Sequence, residues 1–141
     1  MTARVSPTEA RRLVVEEGYA YLDVRTGVEF ASGHPTGSIN VPLLIDGPRG
    51  RVLNERFMDE VLIRFSKSAK LVIGCRSGQR SLRAAGLLEA EGFEHVIDQR
   101  AGFDGVRDAF GGVVEAGWLA TGLPIETRMT SGAEPRPPAS R

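Results

Sequence analysis

The chain has 141 residues, of which 41% are hydrophobic and 26% charged, and its formal net charge is zero; that is the composition of one compact globular domain. Zero net charge removes the bulk attraction that a nucleic acid or an acidic membrane surface would exert. No apolar run is long enough for a membrane span and no charged-then-apolar leader is visible, so the cytoplasm is the expected compartment. The one cysteine, Cys75, allows no internal disulfide, and His34 and His95 are too far apart in sequence to read as a metal-ligand pair. No metal and no cofactor are expected.

Ser6-Pro7-Thr8-Glu9 predicts a helix start, with Ser6 as cap, Pro7 at the first helical position and Glu9 completing a capping box. Ala10, Leu13 and Val14 mark its buried face, and Gly18 ends it. Tyr19 to Val24 reads as a buried strand, Gly27 to Ser32 as a short helical turn closed by Gly33, and Ile39 to Val41 as a second strand stopped by Pro42. Leu43 to Arg51 is rich in Gly and Pro and reads as a loop. Asn54 is the expected cap of a helix whose apolar stripe is Phe57, Met58, Val61, Leu62 and Phe65. Lys70 to Gly74 is a strand, Gln79 to Glu91 a helix ended by Gly92, and His95 to Asp98 another short strand. This alternation predicts an α/β domain with a small, mainly parallel sheet flanked by helices on both faces. Beyond Asp98, glycines punctuate what reads as short helical pieces, with Trp118 and Leu119 closing the core. The domain is expected over residues 1–129, followed by a mobile Pro/Ser/Arg tail over 130–141.

The chemistry concentrates at Leu71-Val72-Ile73-Gly74-Cys75-Arg76-Ser77-Gly78-Gln79-Arg80-Ser81. An apolar strand delivers a thiol into a short loop, and a helix follows. Inward-facing amides of a tight loop make an anion nest, the helix start adds its positive end, and Arg76 and Arg80 add fixed charge. Gly78 permits the sharp backbone path, while the Ser77 and Ser81 hydroxyls can donate to an anion. Together these favour a thiolate nucleophile and an anionic partner. A lone cysteine at a strand end is often a small buried hydrophobe, but such a residue needs no surroundings of this kind.

These residues resemble the active-site loop of single-domain rhodanese-type sulfurtransferases. A second match is Leu22-Asp23-Val24-Arg25, then Glu29-Phe30, Gly33-His34 and Gly37-Ser38-Ile39-Asn40-Val41-Pro42; a third, weaker one is Gly122-Leu123-Pro124-Ile125-Glu126. The resemblance runs from Val5 to Arg128. It implies a rhodanese-like domain in which Cys75 takes the outer sulfur of thiosulfate or a similar small-molecule donor as a persulfide. Cyanide, a small thiol or a protein sulfur acceptor would then remove it. The amides of Arg76, Ser77, Gly78, Gln79 and Arg80 would hold the persulfide, with the arginine side chains attracting the donor. Two alternatives stay open: a sulfur relay or persulfide-binding module with little turnover, and a phosphatase or arsenate reductase on the same fold. The six residues from Cys75 to Arg80 match sulfur-handling relatives, whereas the oxyanion-handling cousins carry one more, and no acid lies within the loop.

The same resemblance casts Asp23, Arg25 and Glu29 as structural, with an Arg25–Glu29 ion pair, and gives His34 a turn-stabilising hydrogen bond. Arg49 and Arg51 are candidates for the site mouth. Ala101-Gly102 stands where many relatives carry Gly-Gly, Val106 sits near the place of a Trp, and Asp108 to Gly117 reads as an insertion before Trp118.

Overall fold

The computed structural model describes residues 2–127, so the expected tail over 130–141 lies outside the described residues. The chain opens with β1 (Ala3–Val5), α1 (Pro7–Glu16), β2 (Ala20–Asp23), α2 (Gly27–Ser32), β3 (His34–Pro35) and β4 (Ile39–Asn40). It continues through β5 (Leu44–Gly47), β6 (Gly50–Leu53), α3 (Phe57–Arg64), β7 (Lys70–Gly74) and α4 (Gln79–Glu91). β8 (His95–Gln99), β9 (Val106–Arg107), β10 (Val113–Glu115) and β11 (Ile125–Glu126) complete it. The main sheet has the order β1-β8-β7-β2-β4, and each of its pairings is parallel.

Parallel strands buried on both faces read as apolar runs, and their alternation sorts the core. Leu22, Leu71 and Ile73 face α3 and α4, meeting Phe57, Val61, Phe65, Ala84, Ala85 and Leu88. Tyr21 and Val72 point to the opposite face, where Ala10 and Leu13 of α1 pack with Phe103 and Trp118. The helices therefore flank both faces, as predicted.

Several local expectations are corrected. β1 has no counterpart in the sequence reading, because three residues of which two are exposed carry no hydrophobic period. Ser6 Oγ accepts from the Glu9 amide, but the Glu9 carboxylate turns to Arg12, so the box at α1 is half made. A complete capping box sits instead on α2, between Thr26 and Glu29. Asn54 is not the cap of α3. Its side chain accepts from the Arg56 amide and donates to the Pro42 carbonyl, bracing the approach, while Arg56 holds the cap position without a side-chain bond. Leu62 also leaves the expected stripe for the surface.

Residues 43–51, expected as a loop, lead into an antiparallel hairpin of β5 and β6. Its largely exposed faces give the sequence no alternating pattern to show. The region after Asp98 is not helical pieces. The chain turns tightly through 100–104, and then β9 and β10 form an antiparallel ribbon across the expected insertion. Trp118 is buried and edge-on to Tyr21, whereas Leu119, expected beside it in the core, is 52% exposed.

Candidate active site

β7 is a central strand, and Cys75 is the first residue beyond its carboxyl end. The next three residues, Arg76 to Gly78, curl back to the start of α4. Gly78 sits at the helix cap position with φ of 98°, a conformation L side chains avoid. A Cβ there would also strike the Arg100 carbonyl oxygen.

Gly78 has no side chain to cap α4, and the cysteine sulfur takes that office. The Gly78 amide donates to Cys75 Sγ at 3.1 Å and the Ser81 amide at 3.3 Å. Ser81 is the third residue of α4, the place whose free amide an Asp or Ser cap ordinarily satisfies. Ser81 Oγ lies 3.4 Å from Sγ. Sulfur therefore sits at the start of a helix among N–H donors.

A second segment clamps the loop from outside. The Phe103 and Asp104 amides donate to the Cys75 and Arg76 carbonyls at 2.7 and 2.9 Å. Gly102, with φ of 71°, lies so close behind the loop that a Cβ would meet the Arg76 carbonyl and the Ser77 amide nitrogen. The chain keeps the glycine that this contact requires and has Ala101 before it, fully buried. Gln99 shapes the turn: its Oε1 accepts from the amides of Ala101 and Gly102, and its Nε2 donates to the Gly102 carbonyl and the Tyr21 hydroxyl.

The charges arrange themselves differently from the sequence expectation. Arg25 does not pair with Glu29. Its guanidinium doubles back onto Asp23, donates to the Gly33 carbonyl at 2.6 Å, and stacks 4.4 Å from the centre of the Phe103 ring. Glu29, fixed by the α2 capping box, faces the cysteine loop and takes both Arg80 Nη atoms at 2.8 and 3.0 Å. Burial pushes the Glu29 carboxyl up, but hydrogen bonds from Arg80 and Thr26 outweigh it and bring it down to about 2. Arg76 Nε pairs with Asp104 at 2.8 Å. The loop holds no acid in sequence, yet in space both of its arginines are matched by carboxylates. Neither Glu29–Arg80 nor Arg76–Asp104 was legible, because the partners lie 51 and 28 residues apart.

Ser77 and Gln79 line the outer face of the loop beside Arg76. Arg51 reaches the mouth from β6, 3.7 Å from Glu29, while Arg49 lies in the hairpin turn. A depression of about 290 Å³ at this mouth is lined by Arg25, Glu29, Arg51, Arg76, Phe103 and Asp104. His34 stands apart: its ring stacks on Phe30 and its Nδ1 lies 2.6 Å from the Phe30 carbonyl oxygen, the turn-stabilising contact expected of it. Among the described residues no group of three His, Cys, Asp or Glu side chains could hold a metal ion, and no helix is long and apolar enough to cross a membrane.

A five-stranded parallel sheet with helices on both faces, and a cysteine loop leading from a central strand into a helix, defines the rhodanese-like class. The chain belongs to that family: the Rhodanese-like domain model matches residues 6–109. Thiosulfate sulfurtransferase 16, chloroplastic, of Arabidopsis thaliana is 40% identical over 122 residues, covering 86% of this chain and 91% of its own. Senescence-associated protein DIN1 of Raphanus sativus is also 40% identical, over 120 residues, but the chain spans only 59% of its length. Thiosulfate sulfurtransferase GlpE of Actinobacillus pleuropneumoniae is 30% identical over 123 residues and 92% of its length. Among solved structures, Rv0390 of M. tuberculosis superposes with a TM-score of 0.73 at 27% identity, covering 89% of this chain and 97% of that one.

Proposed function

We propose that this chain is a sulfurtransferase that carries sulfane sulfur on Cys75. The observation that carries the proposal is the pair of amides, Gly78 and Ser81, converging on Sγ at the start of α4. The names of the Arabidopsis and Actinobacillus relatives support the same chemistry. In the first half-reaction the Cys75 thiolate attacks the outer sulfur of thiosulfate, the S–S bond of the donor breaks, and sulfite leaves with the electron pair. The new outer sulfur is itself anionic, and the amides from Arg76 to Arg80 are the groups available to hold it. In the second, cyanide or a thiolate takes that sulfur and Cys75 departs as thiolate, so ping-pong kinetics follow.

Arg76 and Arg80 serve this scheme with part of their charge already balanced by Asp104 and Glu29. Their contribution to donor capture is correspondingly smaller than two free guanidiniums would give, and Arg51 at the mouth is likewise shared with Glu29 and Asp46. Glu29, the carboxylate facing the loop, is taken up by both Arg80 nitrogens and the Thr26 amide, a structural engagement that favours the sulfur reading over the phosphatase alternative.

The test is direct. Purified protein given thiosulfate gains one sulfur on Cys75 by intact mass, loses it to cyanide, and yields thiocyanate, while Cys75→Ser abolishes both steps. Clean loading with slow turnover would assign the chain to sulfur relay instead. Arsenate or aryl-phosphate turnover without loading would overturn the proposal.

A further inference from the structure

We propose that Cys75 and Asp98 share one proton through the Ser81 hydroxyl, so that the buried carboxylate takes the thiol proton when the sulfur becomes the nucleophile. This rests on the sulfur-transfer reading of Cys75 and gives that site a positioning residue, one that acts through Ser81 without touching the sulfur.

Asp98 belongs to β8, the neighbour of β7 in the sheet, and is fully buried. Its two oxygens differ. Oδ2 accepts from Arg4 Nε at 2.7 Å, whereas Oδ1, equally shut from solvent, has no hydrogen-bond partner among the described residues. A buried carboxylate oxygen left without a donor is costly and calls for a reason. The Ser81 hydroxyl stands close enough to lower this carboxyl, against the burial that raises it.

Ser81 faces the sulfur as well. The Cys75 thiol donates to Ser81 Oγ at 3.4 Å. The hydroxyl itself donates to the Gly78 carbonyl at 3.3 Å, long against the roughly 2.7–2.8 Å usual between a hydroxyl and oxygen. No short bond commits the hydroxyl, so it is free to turn between its acceptors. Cys75 is 2% exposed and Ser81 not at all, so the thiol proton faces Ser81 Oγ and little water.

The exchange balances within these three residues. The S–H bond of Cys75 breaks as Ser81 Oγ takes the proton, and the hydroxyl's own proton passes to Asp98 Oδ1. The chain of hydrogen bonds then runs the other way: Oδ1–H donates to Ser81 Oγ, and the Ser81 hydroxyl donates to the thiolate. Arg4 keeps Oδ2 in either state, nothing is oxidised and the net charge is unchanged. When an acceptor has removed the sulfur and Cys75 departs as thiolate, the proton returns by the same path.

The other charged or titratable groups facing the pair hold their state. Arg4 of β1 lies on Asp98, and Arg80 of α4 and Tyr21 of β2 face the Cys75 sulfur. Arginine does not lose its charge, and burial holds Tyr21 above its ordinary value of 10.0. A second titration step felt by the sulfur therefore belongs to Asp98.

The rate of Cys75 alkylation by iodoacetamide, followed by intact mass from about pH 4 to 9, tests this. Two groups sharing a proton titrate in two steps, so the wild type is expected to show two ascents separated by a shelf. Asp98→Asn keeps an oxygen for Arg4 but takes no proton, and is expected to show one ascent. A mere anchor for Arg4 would alter stability and leave the shape of the profile alone. Ser81→Ala is expected to lower the shelf about tenfold, the size of one lost charge-assisted hydrogen bond, and Ser81→Thr to keep it. A single ascent in the wild type, or a shelf within about twofold of wild type in Asp98→Asn or Ser81→Ala, overturns the proposal. Should Asp98→Asn not fold, the two Ser81 variants decide. Thiosulfate loading keeps the two readings apart: its absence removes sulfur transfer, while a shelf that vanishes in Asp98→Asn still establishes the shared proton.

Discussion

Glu29 and Asp98 both serve the cysteine loop, and acid acts on them in opposite senses. The folded-state pKa of Glu29 lies below the ordinary 4.5, at about 2. Its ion pair with Arg80 therefore stabilises the fold fully above about pH 4.5, and that contribution is lost as pH falls toward 2. For a partly exposed pair this is on the order of 1 kcal/mol. Asp98 is fully buried, and burial raises its carboxyl above 3.8 against the lowering effects of the Ser81 hydroxyl and Arg4. The folded state binds that proton more tightly than the unfolded chain does, so Asp98 costs stability as pH rises through its raised value. Urea midpoints measured from pH 2 to 7 separate the two. Glu29→Gln is expected to shrink the acid loss below pH 4.5, and Asp98→Asn to remove a decline on the rising side. Identical profiles for wild type and Glu29→Gln would refute the role given to the Arg80 pair.

Among the elements, the Cys75 loop and the 100–104 turn meet at Gly102, a contact with no room for an added atom. Gly102→Ala combines a backbone overlap at Arg76 and Ser77 with a positive φ. It is expected to cost about 1–3 kcal/mol and to lower thiosulfate loading of Cys75, read as a shifted urea midpoint together with slower gain of one sulfur. A fully active variant of wild-type stability would show that the turn does not set the loop. Much of this architecture was legible in the residues. The apolar runs at Leu71 to Ile73 and Tyr21 to Leu22, the helical spacing of Phe57, Val61 and Phe65, and the glycines around Cys75 all announce the strands, the helices and the tight cysteine loop. What escaped has physical reasons. Glu29 joins Arg80, and not Arg25, because the α2 cap turns its carboxylate toward the loop, a matter of tertiary aim that spacing does not encode. Arg25 is drawn inward by Asp23, two residues back on the same strand end. The exposed β5–β6 hairpin and the β9–β10 ribbon bury little and leave no periodic trace.

In the molecule as a whole, two core faces press on one sheet, and β1 is one of its two edge strands. β1 pairs with β8 through the Arg4–Asp98 register, 94 residues apart in sequence, and two of its three residues are exposed. Such an edge has little burial to hold it and a long loop to close, so it opens by local fluctuation while β7 opens only with the whole fold. Its loosening does not stay at the rim. The Arg100 amide is bonded to the Val5 carbonyl, and two residues later the chain reaches Gly102 and the amides that grip Cys75 and Arg76. Hydrogen–deuterium exchange is therefore expected to rank the amides of Phe103 and Asp104 with Arg100, well ahead of Val72 and Ile73. Protection of Phe103 equal to that of Ile73 would contradict this ranking. Where the ranking holds, the breathing of a three-residue edge strand sets how long the sulfur's cradle stays shut.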